Sequence, residues 1–442
     1  ACFEFRVSCF EFIIFQLTLP EYSMSQKHIR PRLVFADQQG NIYDHPELFM
    51  LCRKGTDFVL PGPMDLMPLP PGSDVFLLPD RKALGLDPQS GKVEALEEFP
   101  VAGFVSPGHT LTGLCAYAGS HHVAPLPLFA YGALGYARGR FWICAQQVDP
   151  DPRQQFEDIP QGRIEAGAKA WLHRFPKNRL VRHLAHCALS YCCPAARNLA
   201  LGRYEAPLPT ARGCNAECLG CISRQPDDSG FPATQSRINF RPTPGEIIEI
   251  MHTHAENEPR PIFSFGQGCE GEPLLEAETI AEACGLFRQQ HGPGTININT
   301  NGSLPETIPQ LARCGLNSIR VSLNSAQEAL YTAYYQPKTY AFEQVRETIL
   351  SAKAHGLFVS LNYLFFPGFN DSEPEYAALG ALIADTGLDF LQLRNLNLDP
   401  ELYLSHLGFA PAPSMGFAHF RKRLGKDFPW LGLGYFNPAL EA

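Results

Sequence analysis

Residues 213–225 read GCNAECLGCISRQ and carry three cysteines, Cys214, Cys218 and Cys221, spaced four and then three residues apart. A structural zinc site normally closes with four Cys or His ligands, and no fourth ligand follows closely in the sequence. Three thiolates leave one metal position free for chemistry, and thiolates bind zinc or iron–sulfur clusters. A four-iron cluster held by these three cysteines would keep one iron open to a small molecule.

The cysteines lie within a regular alternation of predicted strands and helices. The predicted strands are 207–213, 261–266, 295–300, 318–323, 357–366 and 389–395, and the predicted helices are 243–256, 276–290, 305–314, 341–355 and 373–386. This alternation indicates parallel strands covered by helices. Six units are too few for an eight-stranded barrel, so we expect an α/β fold with an open, partial barrel. In such folds the active site gathers at the carboxyl ends of the strands, where the cysteines lie.

The chain before the barrel has a different pattern. Residues 31–150 are rich in Pro, Gly and short apolar runs, which predicts a β-rich domain, and residues from 161 to about 200 have apolar side chains at helical spacing. Residues 1–23 are apolar and aromatic without the pattern of a membrane span or signal peptide, and Met24 is a plausible start. The expected divisions are 1–23 extension, 24–160 β-rich domain, 161–206 helical connector, 207–396 partial barrel and 397–442 C-terminal extension.

Net charge and the distribution of cysteines limit the classes of protein to which the chain can belong. The chain has 442 residues, a formal net charge of -9 and no Lys/Arg tract, which disfavours a nucleic-acid partner. Its 14 cysteines are clustered rather than evenly spaced, unlike a secreted disulfide framework. We therefore expect a cytoplasmic, metal-binding protein without a membrane segment.

The cysteine spacing and its place after the first strand resemble the radical S-adenosylmethionine (SAM) superfamily. The hallmark of that family is CxxxCxxC after the first strand of a partial (β/α)6 barrel. The resemblance implies a [4Fe–4S] cluster on Cys214, Cys218 and Cys221, with the fourth iron bound by the amino and carboxylate groups of SAM. It also implies an electron donor such as flavodoxin or ferredoxin, reductive cleavage of SAM, and a 5′-deoxyadenosyl radical that abstracts hydrogen from a substrate.

Three further motifs resemble the SAM-binding segments of this family. Residues 263–276 read FSFGQGCEGEPLLE, and their GEP matches the end of a GGEP-like motif. Segments TNG at 300–302 and RVSLN at 320–324 follow on the next two strands, and alternate residues of a strand share a face. The residues that the resemblance assigns to SAM are Gly271, Glu272, Thr300, Asn301, Arg320, Ser322 and Asn324. Read without it, the first motif is a tight turn before a helix with acidic residues in its first turn.

One position departs from the family. An aromatic residue usually precedes the third cysteine, near adenine, but this chain has Gly220. We expect adenine to pack elsewhere, against Ile222 or against backbone. On the sixth strand, Gln392 and Arg394 share one face, and either contact substrate or are solvated.

Four other cysteines leave two interpretations open. Cys187, Cys192 and Cys193 precede the barrel, and Cys269 lies in the loop that carries Glu272. They either bind an auxiliary metal or are small buried side chains. Cys269 has the further alternative of facing the reaction chamber and donating a hydrogen atom. No cysteine follows Cys314, which disfavours radical SAM enzymes that mature peptides with a cysteine-rich C-terminal extension.

The sequence therefore predicts a radical SAM enzyme acting on an unidentified substrate, either a peptide or protein recognised by the N-terminal domain or a small molecule. Two alternatives remain. One is a radical SAM methyltransferase acting on RNA or a small molecule. The other is a non-catalytic module in which the cysteines hold zinc or an iron–sulfur cluster.

Overall fold

The computed structural model describes residues 29–119, 123–408 and 412–440. The predicted extension over residues 1–23 and the start at Met24 lie outside the described residues. No helix in the described ranges has the length and apolar character needed to cross a membrane.

The N-terminal part is one antiparallel sheet of 14 strands. Its strands are β1 Arg32–Ala36, β2 Ile42–Met50, β3 Cys52–Lys54, β4 Asp57–Val59, β5 Leu66–Pro68, β6 Asp74–Leu77, β7 Arg81–Leu86, β8 Val93–Ala95, β9 Phe99–Phe104, β10 His109–Leu111, β11 Leu114–Cys115, β12 Tyr117–Gly119, β13 Gly132–Ala137 and β14 Arg140–Gln147. The β13–β14 hairpin turns at Arg138 and Gly139, whose φ values of 53° and 77° suit a tight two-residue turn. The β-rich character predicted for this part is confirmed.

Three helices connect this sheet to the barrel: α1 Gln161–Arg174, α2 Arg179–Ser190 and α3 Pro194–Leu201. The second begins at Asn178, whose side chain accepts a hydrogen bond from the backbone N–H of Val181. Such a cap satisfies one of the free amides at a helix start. One apolar core runs without interruption from the N-terminal sheet through these helices into the barrel.

The remaining strands form a seven-stranded parallel sheet in chain order. They are β15 Glu205–Pro207, β16 Ile262–Phe265, β17 Thr295–Thr300, β18 Ser318–Leu323, β19 Phe358–Phe365, β20 Phe390–Asn395 and β21 Gly432–Gly434. The helices are α4 Pro244–Asn257, α5 Ala277–Gln289, α6 Ile308–Arg313, α7 Glu328–Tyr335, α8 Phe342–Ala354, α9 Glu373–Thr386, α10 Pro400–Leu407 and α11 Phe417–Asp427. The predicted α/β partial barrel is confirmed, with a short seventh strand that the sequence did not predict.

The first strand was predicted wrongly. It covers Glu205–Pro207 rather than 207–213. Pro209 has no N–H to donate to a neighbouring strand. The amides of Thr210 and Ala211 donate instead to the carboxylate of Glu270, at 2.7 and 2.8 Å. The cysteine loop therefore leaves the sheet earlier than its apolar pattern indicates.

Asn437 shows how the parallel sheet curls. Its side chain lies 3.0 Å from Glu205 on β15, 2.9 Å from Gln392 on β20 and 3.4 Å from Arg320 on β18. The first and sixth strands can reach one side chain only if the sheet closes partly around it. The interior of the open barrel is therefore a polar cluster that the C-terminal segment completes.

The N-terminal sheet packs over the carboxyl ends of the barrel strands. Asp399, just after β20, accepts hydrogen bonds from Arg81 at 3.0 Å, Tyr117 at 3.2 Å and the Leu126 amide at 2.8 Å. Asn395 at the end of β20 donates to the His109 carbonyl at 3.0 Å. These contacts put the sheet where it can cover an active site.

Candidate active site

A cavity of about 610 Å³ lies between the strand ends and the N-terminal sheet. Its lining includes all three motif cysteines, the barrel side chains discussed below, and an apolar wall from the N-terminal sheet. That wall consists of Phe104, Val105, Pro107 and Ala130. Cavities of this size hold small organic ligands.

The cysteine loop is fastened by α7. The Leu219 amide donates to the Tyr334 carbonyl at 2.9 Å, and the Glu217 amide donates to the Tyr335 carbonyl at 3.1 Å. Glu217 also forms an ion pair with Lys338 at 2.6 Å. This helix was missing from the sequence prediction, although it sets the path of the loop.

The three motif thiols are half-buried and line the cavity together. Burial raises the pKa of the Cys214 thiol to about 11 and also raises the pKa of Cys218. A bound metal reverses this preference, because coordination deprotonates a thiol. Arg237 Nη2 lies 3.4 Å from Cys221 Sγ and places a positive charge where thiolates would form. Three soft ligands on one loop fit an iron–sulfur cluster that keeps one open iron.

Gly271 fits tightly against the cysteine loop. A Cβ at this position would overlap the backbone of Gly213, so only glycine can stand here. The Gly271 amide donates to Ala211 at 2.8 Å, and the Glu272 amide donates to Gly213 at 2.9 Å. The two predicted SAM residues of this loop are therefore held directly beside the cysteines.

Glu272 is a buried carboxylate at the edge of the cavity, 3% exposed. It accepts hydrogen bonds from the Thr300 hydroxyl, the Asn301 amide at 2.8 Å and the Leu274 amide at 3.0 Å. Burial raises its pKa to about 7, against the effect of these donors. The Glu272 carboxylate can pair with an ammonium group. Thr300 acts indirectly, by donating its hydroxyl to that carboxylate.

Asn301 connects this loop to the cysteine loop. Its side chain donates to Asn215 Oδ1 at 2.9 Å and accepts from the Ser303 amide at 3.0 Å. Asn215 in turn donates to Ser303 Oγ at 2.9 Å. Asn301 lines the cavity, but its side-chain bonds are to protein.

Glu270, which stands where a GGEP-like motif has its first glycine, joins two strand ends. Its carboxylate accepts from the amides of Thr210, Ala211, Gly266 and Gln267, all at 2.7–2.8 Å. Burial raises its pKa to about 7 despite these four donors. An acid between two glycine-rich turns is the sequence signal that points to such a role.

Arg320 and Ser322 both line the cavity. The Arg320 guanidinium donates to Gln392 at 3.1 Å and Asn437 at 3.4 Å, and its buried Nε has no partner among the described residues. Burial lowers its pKa to about 10, and Arg394 acts in the same direction. A half-buried cation with an unsatisfied donor fits the carboxylate of a ligand.

Asn324 lies away from the cavity, unlike the other predicted SAM residues. Its amide donates to the Leu330 carbonyl and the Tyr403 hydroxyl, both at 3.2 Å, and the residue is fully buried. It stands one position beyond the last residue of β18, so the face shared along the strand no longer fixes its direction. A contact from Asn324 to SAM stays a prediction, and these bonds give it a structural role.

The two polar residues of β20, Gln392 and Arg394, have different roles. Gln392 is fully buried and bonds to Arg320 and Asn437, so it holds the neighbouring guanidinium. Arg394 lines the cavity, donates to the Tyr435 carbonyl at 2.9 Å and lies 4.0 Å from the Tyr435 ring centroid. Neither residue is simply solvated.

Tyr334 fills the space beside Gly220. A Cβ on Gly220 would lie 2.6 Å from the Tyr334 hydroxyl oxygen, and both residues line the cavity. Ile222, which the sequence analysis named as an adenine contact, also lines the cavity. An aromatic ring is thus present near the third cysteine, but it comes from α7.

The other cysteines separate into distinct environments. Cys192 is exposed, Cys193 lines the cavity, and Cys269 turns away from the cavity toward Cys187 on α2. A hydrogen bond from Cys269 and the nearby His183 lower the pKa of Cys187 to about 5. Cys269 therefore does not face the reaction chamber.

Comparison with known proteins supports the assignment of the barrel. A family model described as the radical SAM superfamily matches residues 208–379. GTP 3′,8-cyclase of Aquifex aeolicus (strain VF5) is 29% identical over 161 residues, which is 36% of this chain and 47% of that protein. The dual-specificity RNA methyltransferase RlmN of Marinomonas sp. (strain MWYL1) is 24% identical over 230 residues, which is 48% of this chain and 57% of that protein.

Molybdenum cofactor biosynthesis protein 1 of Bos taurus is 29% identical over 162 residues, 36% of this chain and 24% of that protein. The matches thus span between a quarter and somewhat over half of these relatives. A solved radical SAM methyltransferase from Sphaerobacter thermophilus aligns with a TM-score of 0.38 and 18% identity, covering 53% of this chain and 67% of that chain. By the family match over residues 208–379, its cysteine loop and the parallel strands around that loop, this barrel is a radical SAM domain.

Proposed function

We propose that this protein binds a [4Fe–4S] cluster through Cys214, Cys218 and Cys221 and uses SAM to abstract hydrogen from an anionic, small-molecule substrate. The observation that carries this proposal is the cavity itself. One space of about 610 Å³ brings together three thiols, a buried carboxylate and a half-buried guanidinium whose Nε has no partner among the described residues.

The side chains around the cysteines suit the two charged groups of SAM. Glu272 offers a carboxylate for the ammonium, and Arg320 offers its unpaired Nε–H for the carboxylate. Gly271 lets backbone come close because it has no side chain. Tyr334 and Ile222 provide apolar surface for adenine beside the third cysteine.

The cluster and SAM, when bound, supply a 5′-deoxyadenosyl radical after one electron arrives from a donor such as flavodoxin or ferredoxin. The protein must then protect that radical from water and from its own side chains. The apolar wall of Phe104, Val105, Pro107 and Ala130 lies over the carboxyl ends of the strands and limits the access of water from that side.

Arg394 favours an anionic substrate. Its guanidinium lines the cavity and is held by the carbonyl and ring of Tyr435, and no carboxylate of the described residues forms an ion pair with it. With Arg320 assigned to SAM, the charge of Arg394 remains for a carboxylate or phosphate of the substrate. The cavity of about 610 Å³ must hold both SAM and the substrate, which suits a metabolite-sized molecule.

We place this chemistry in the reducing cytoplasm, because all twelve described cysteines are free thiols.

The test is anaerobic reconstitution with iron and sulfide, followed by addition of dithionite and SAM. We expect about four iron atoms per chain and formation of 5′-deoxyadenosine. Cys214→Ala should lower the iron content, whereas Cys192→Ala, an exposed cysteine outside the cavity, should not. A chain that binds iron fully but forms no 5′-deoxyadenosine would be a non-catalytic module, and unchanged iron in Cys214→Ala would refute the cluster assignment.

Methyl transfer to RNA or a small molecule is the second candidate, favoured by the 230-residue match to the RNA methyltransferase. The two reactions differ in the product formed from SAM. Methyl transfer releases S-adenosylhomocysteine, whereas hydrogen abstraction without methyl transfer releases only 5′-deoxyadenosine and methionine. Chromatography of the same reaction mixture distinguishes them.

A further inference from the structure

We propose that the chain holds a second metal ion, Zn²⁺, bound by His183, Cys187 and Cys269 outside the SAM cavity. The three residues each offer one ligand atom, and these atoms all lie within 4.8 Å of one another. His183 and Cys187 are on α2, and Cys269 is in the loop after β16.

The distances suit tetrahedral zinc. Zn–S bonds of about 2.3 Å and Zn–N bonds of about 2.0 Å at a tetrahedral angle place the sulfur and nitrogen about 3.6 Å apart. His183 Nε2 and Cys187 Sγ lie 3.5 Å apart. The two residues are four positions apart on a helix, so both side chains project from one face toward the same point.

The chemical identity of the three ligands favours zinc over an iron–sulfur cluster or a disulfide at these cysteines. Two thiols and an imidazole are ligands that zinc prefers, whereas an additional iron–sulfur cluster would normally use four protein ligands. A Cys187–Cys269 disulfide would leave the position of the imidazole unexplained. Within the described ranges no fourth Cys, His, Asp or Glu joins the group, so the fourth position falls to water.

The ion would connect the helical connector to the SAM-binding loop. Cys269 directly precedes Glu270, which joins two strand ends, and lies three positions before Glu272. The Cys269 carbonyl already accepts from the Ile238 amide at 2.8 Å. Zinc bound here would fix the loop without lining the cavity, since none of its three ligands is among the lining residues, which makes them positioning residues rather than catalytic ones.

The experiment measures both metals in the reconstituted, cluster-loaded protein. After Zn²⁺ is added and unbound metal is removed on a chelating resin, we expect about one zinc per chain beside unchanged iron. Cys187→Ser and His183→Ala should each lower zinc affinity at least about tenfold while iron content stays the same. Because His183 is only half-buried, its removal leaves the fold intact even if Cys187→Ser does not fold.

Cys192→Ser is the matched control, since Cys192 is exposed and outside the ligand group. It should keep its zinc. Equal zinc loss in this control, or wild-type zinc no higher than in His183→Ala, would overturn the proposal. Mass spectrometry of the alkylated, non-reduced protein gives an independent check, because a Cys187–Cys269 disulfide would also overturn it. Separate counting of zinc and iron keeps failure here distinct from failure of the radical SAM chemistry.

Discussion

At the scale of single residues, Gly220 and Tyr334 compete for one small volume. A Cβ at position 220 would lie 2.6 Å from the Tyr334 hydroxyl, so Gly220→Ala should lower the free energy of unfolding by about 1–3 kcal/mol. In a Tyr334→Phe background the oxygen is gone and the same substitution should cost less. Denaturant unfolding of the two single variants and the double variant measures the coupling. Equal cost in both backgrounds would show that the hydroxyl does not set the glycine requirement.

Glu270 and Glu272 are buried acids two positions apart that have different roles. Both oxygens of Glu270 accept from two backbone amides each, so Glu270→Gln turns an NH₂ group toward two N–H donors. Buried donors without acceptors cost about 1–3 kcal/mol each, and we expect the unfolding free energy to fall by about 2–4 kcal/mol. Thermal and denaturant unfolding measure this loss. Glu272→Gln keeps acceptor capacity for the Asn301 amide and should lose less; an equal loss would contradict the assignment.

Glu272 should also make stability depend on pH. Its pKa rises from the ordinary glutamate value of 4.5 to about 7 because burial penalises the carboxylate. A raised pKa in the folded protein contributes stability that is present below pH 4.5 and lost as pH rises through 7, by about 3 kcal/mol in total. The cluster-free protein should therefore lose stability over this window more steeply than Glu272→Gln. Parallel stability–pH curves for the two proteins would contradict this prediction.

At the scale of elements, α4 begins with a reciprocal cap that also reaches the helical connector. Thr243 and Glu246 cap each other, and Glu246 pairs with Arg179 at 2.7 Å. Partial burial opposes ionisation of Glu246, but Arg179 and the Thr243 amide lower its pKa to about 2. This lowered pKa contributes stability that is present above pH 4.5 and lost as pH falls toward 2.

The two cap residues can be separated by substitution. Glu246→Gln retains a capping side chain and loses the ion pair, so we expect a loss of about 0.5–1 kcal/mol at pH 7 that disappears near pH 2. Thr243→Ala removes the cap at every pH and should cost about 1 kcal/mol throughout. Denaturant unfolding at both pH values compares them. A loss in Glu246→Gln that stays constant down to pH 2 would refute the role of the ion pair.

Elements whose chemistry is local were predictable from the sequence. Strands such as β17, in which Ile296 and Ile298 alternate with polar residues, and helices such as α8 follow from the period of their apolar residues. The start of the barrel was not predictable, because Pro209 and the distant Glu270 redirect the chain after Pro207. Helix α7 was missed as well. Each of its tyrosines has an apolar ring and a polar hydroxyl, so the pattern does not indicate a helix, and contact with the cysteine loop orders the segment.

The same distinction between local patterns and long-range contacts applies to the residues of the candidate site. The three cysteines, Gly271 and Glu272 could be found because their spacing is a local pattern that the family shares. Contacts between distant parts of the chain left no such pattern. Asn437, in the C-terminal segment, forms hydrogen bonds with side chains on both β15 and β20. Cys269 lies beside Cys187, which is 82 positions earlier in the sequence. Both depend on how the whole barrel closes.

At the scale of the whole molecule, Asp399 joins the barrel to the N-terminal sheet that covers the cavity. It pairs with Arg81 at 3.0 Å, and both side chains are nearly inaccessible, at 4% and 6% exposed. Tyr117 and the Leu126 amide donate to the same carboxylate. Loss of one partner of a buried ion pair leaves an uncompensated charge, which typically costs about 3–5 kcal/mol.

Asp399→Asn should therefore lower the free energy of unfolding by about 3–5 kcal/mol and loosen the sheet from the strand ends. Glu97→Gln is the matched control, because its ion pair with Lys82 is exposed and should be worth less than about 1 kcal/mol. Denaturant unfolding measures the energies, and limited proteolysis at the 149–160 linker reports whether the sheet opens. If the cover depends on Asp399, cleavage accelerates in Asp399→Asn alone; equal cleavage in both variants would mean that the apolar core between sheet and barrel holds the cover without it.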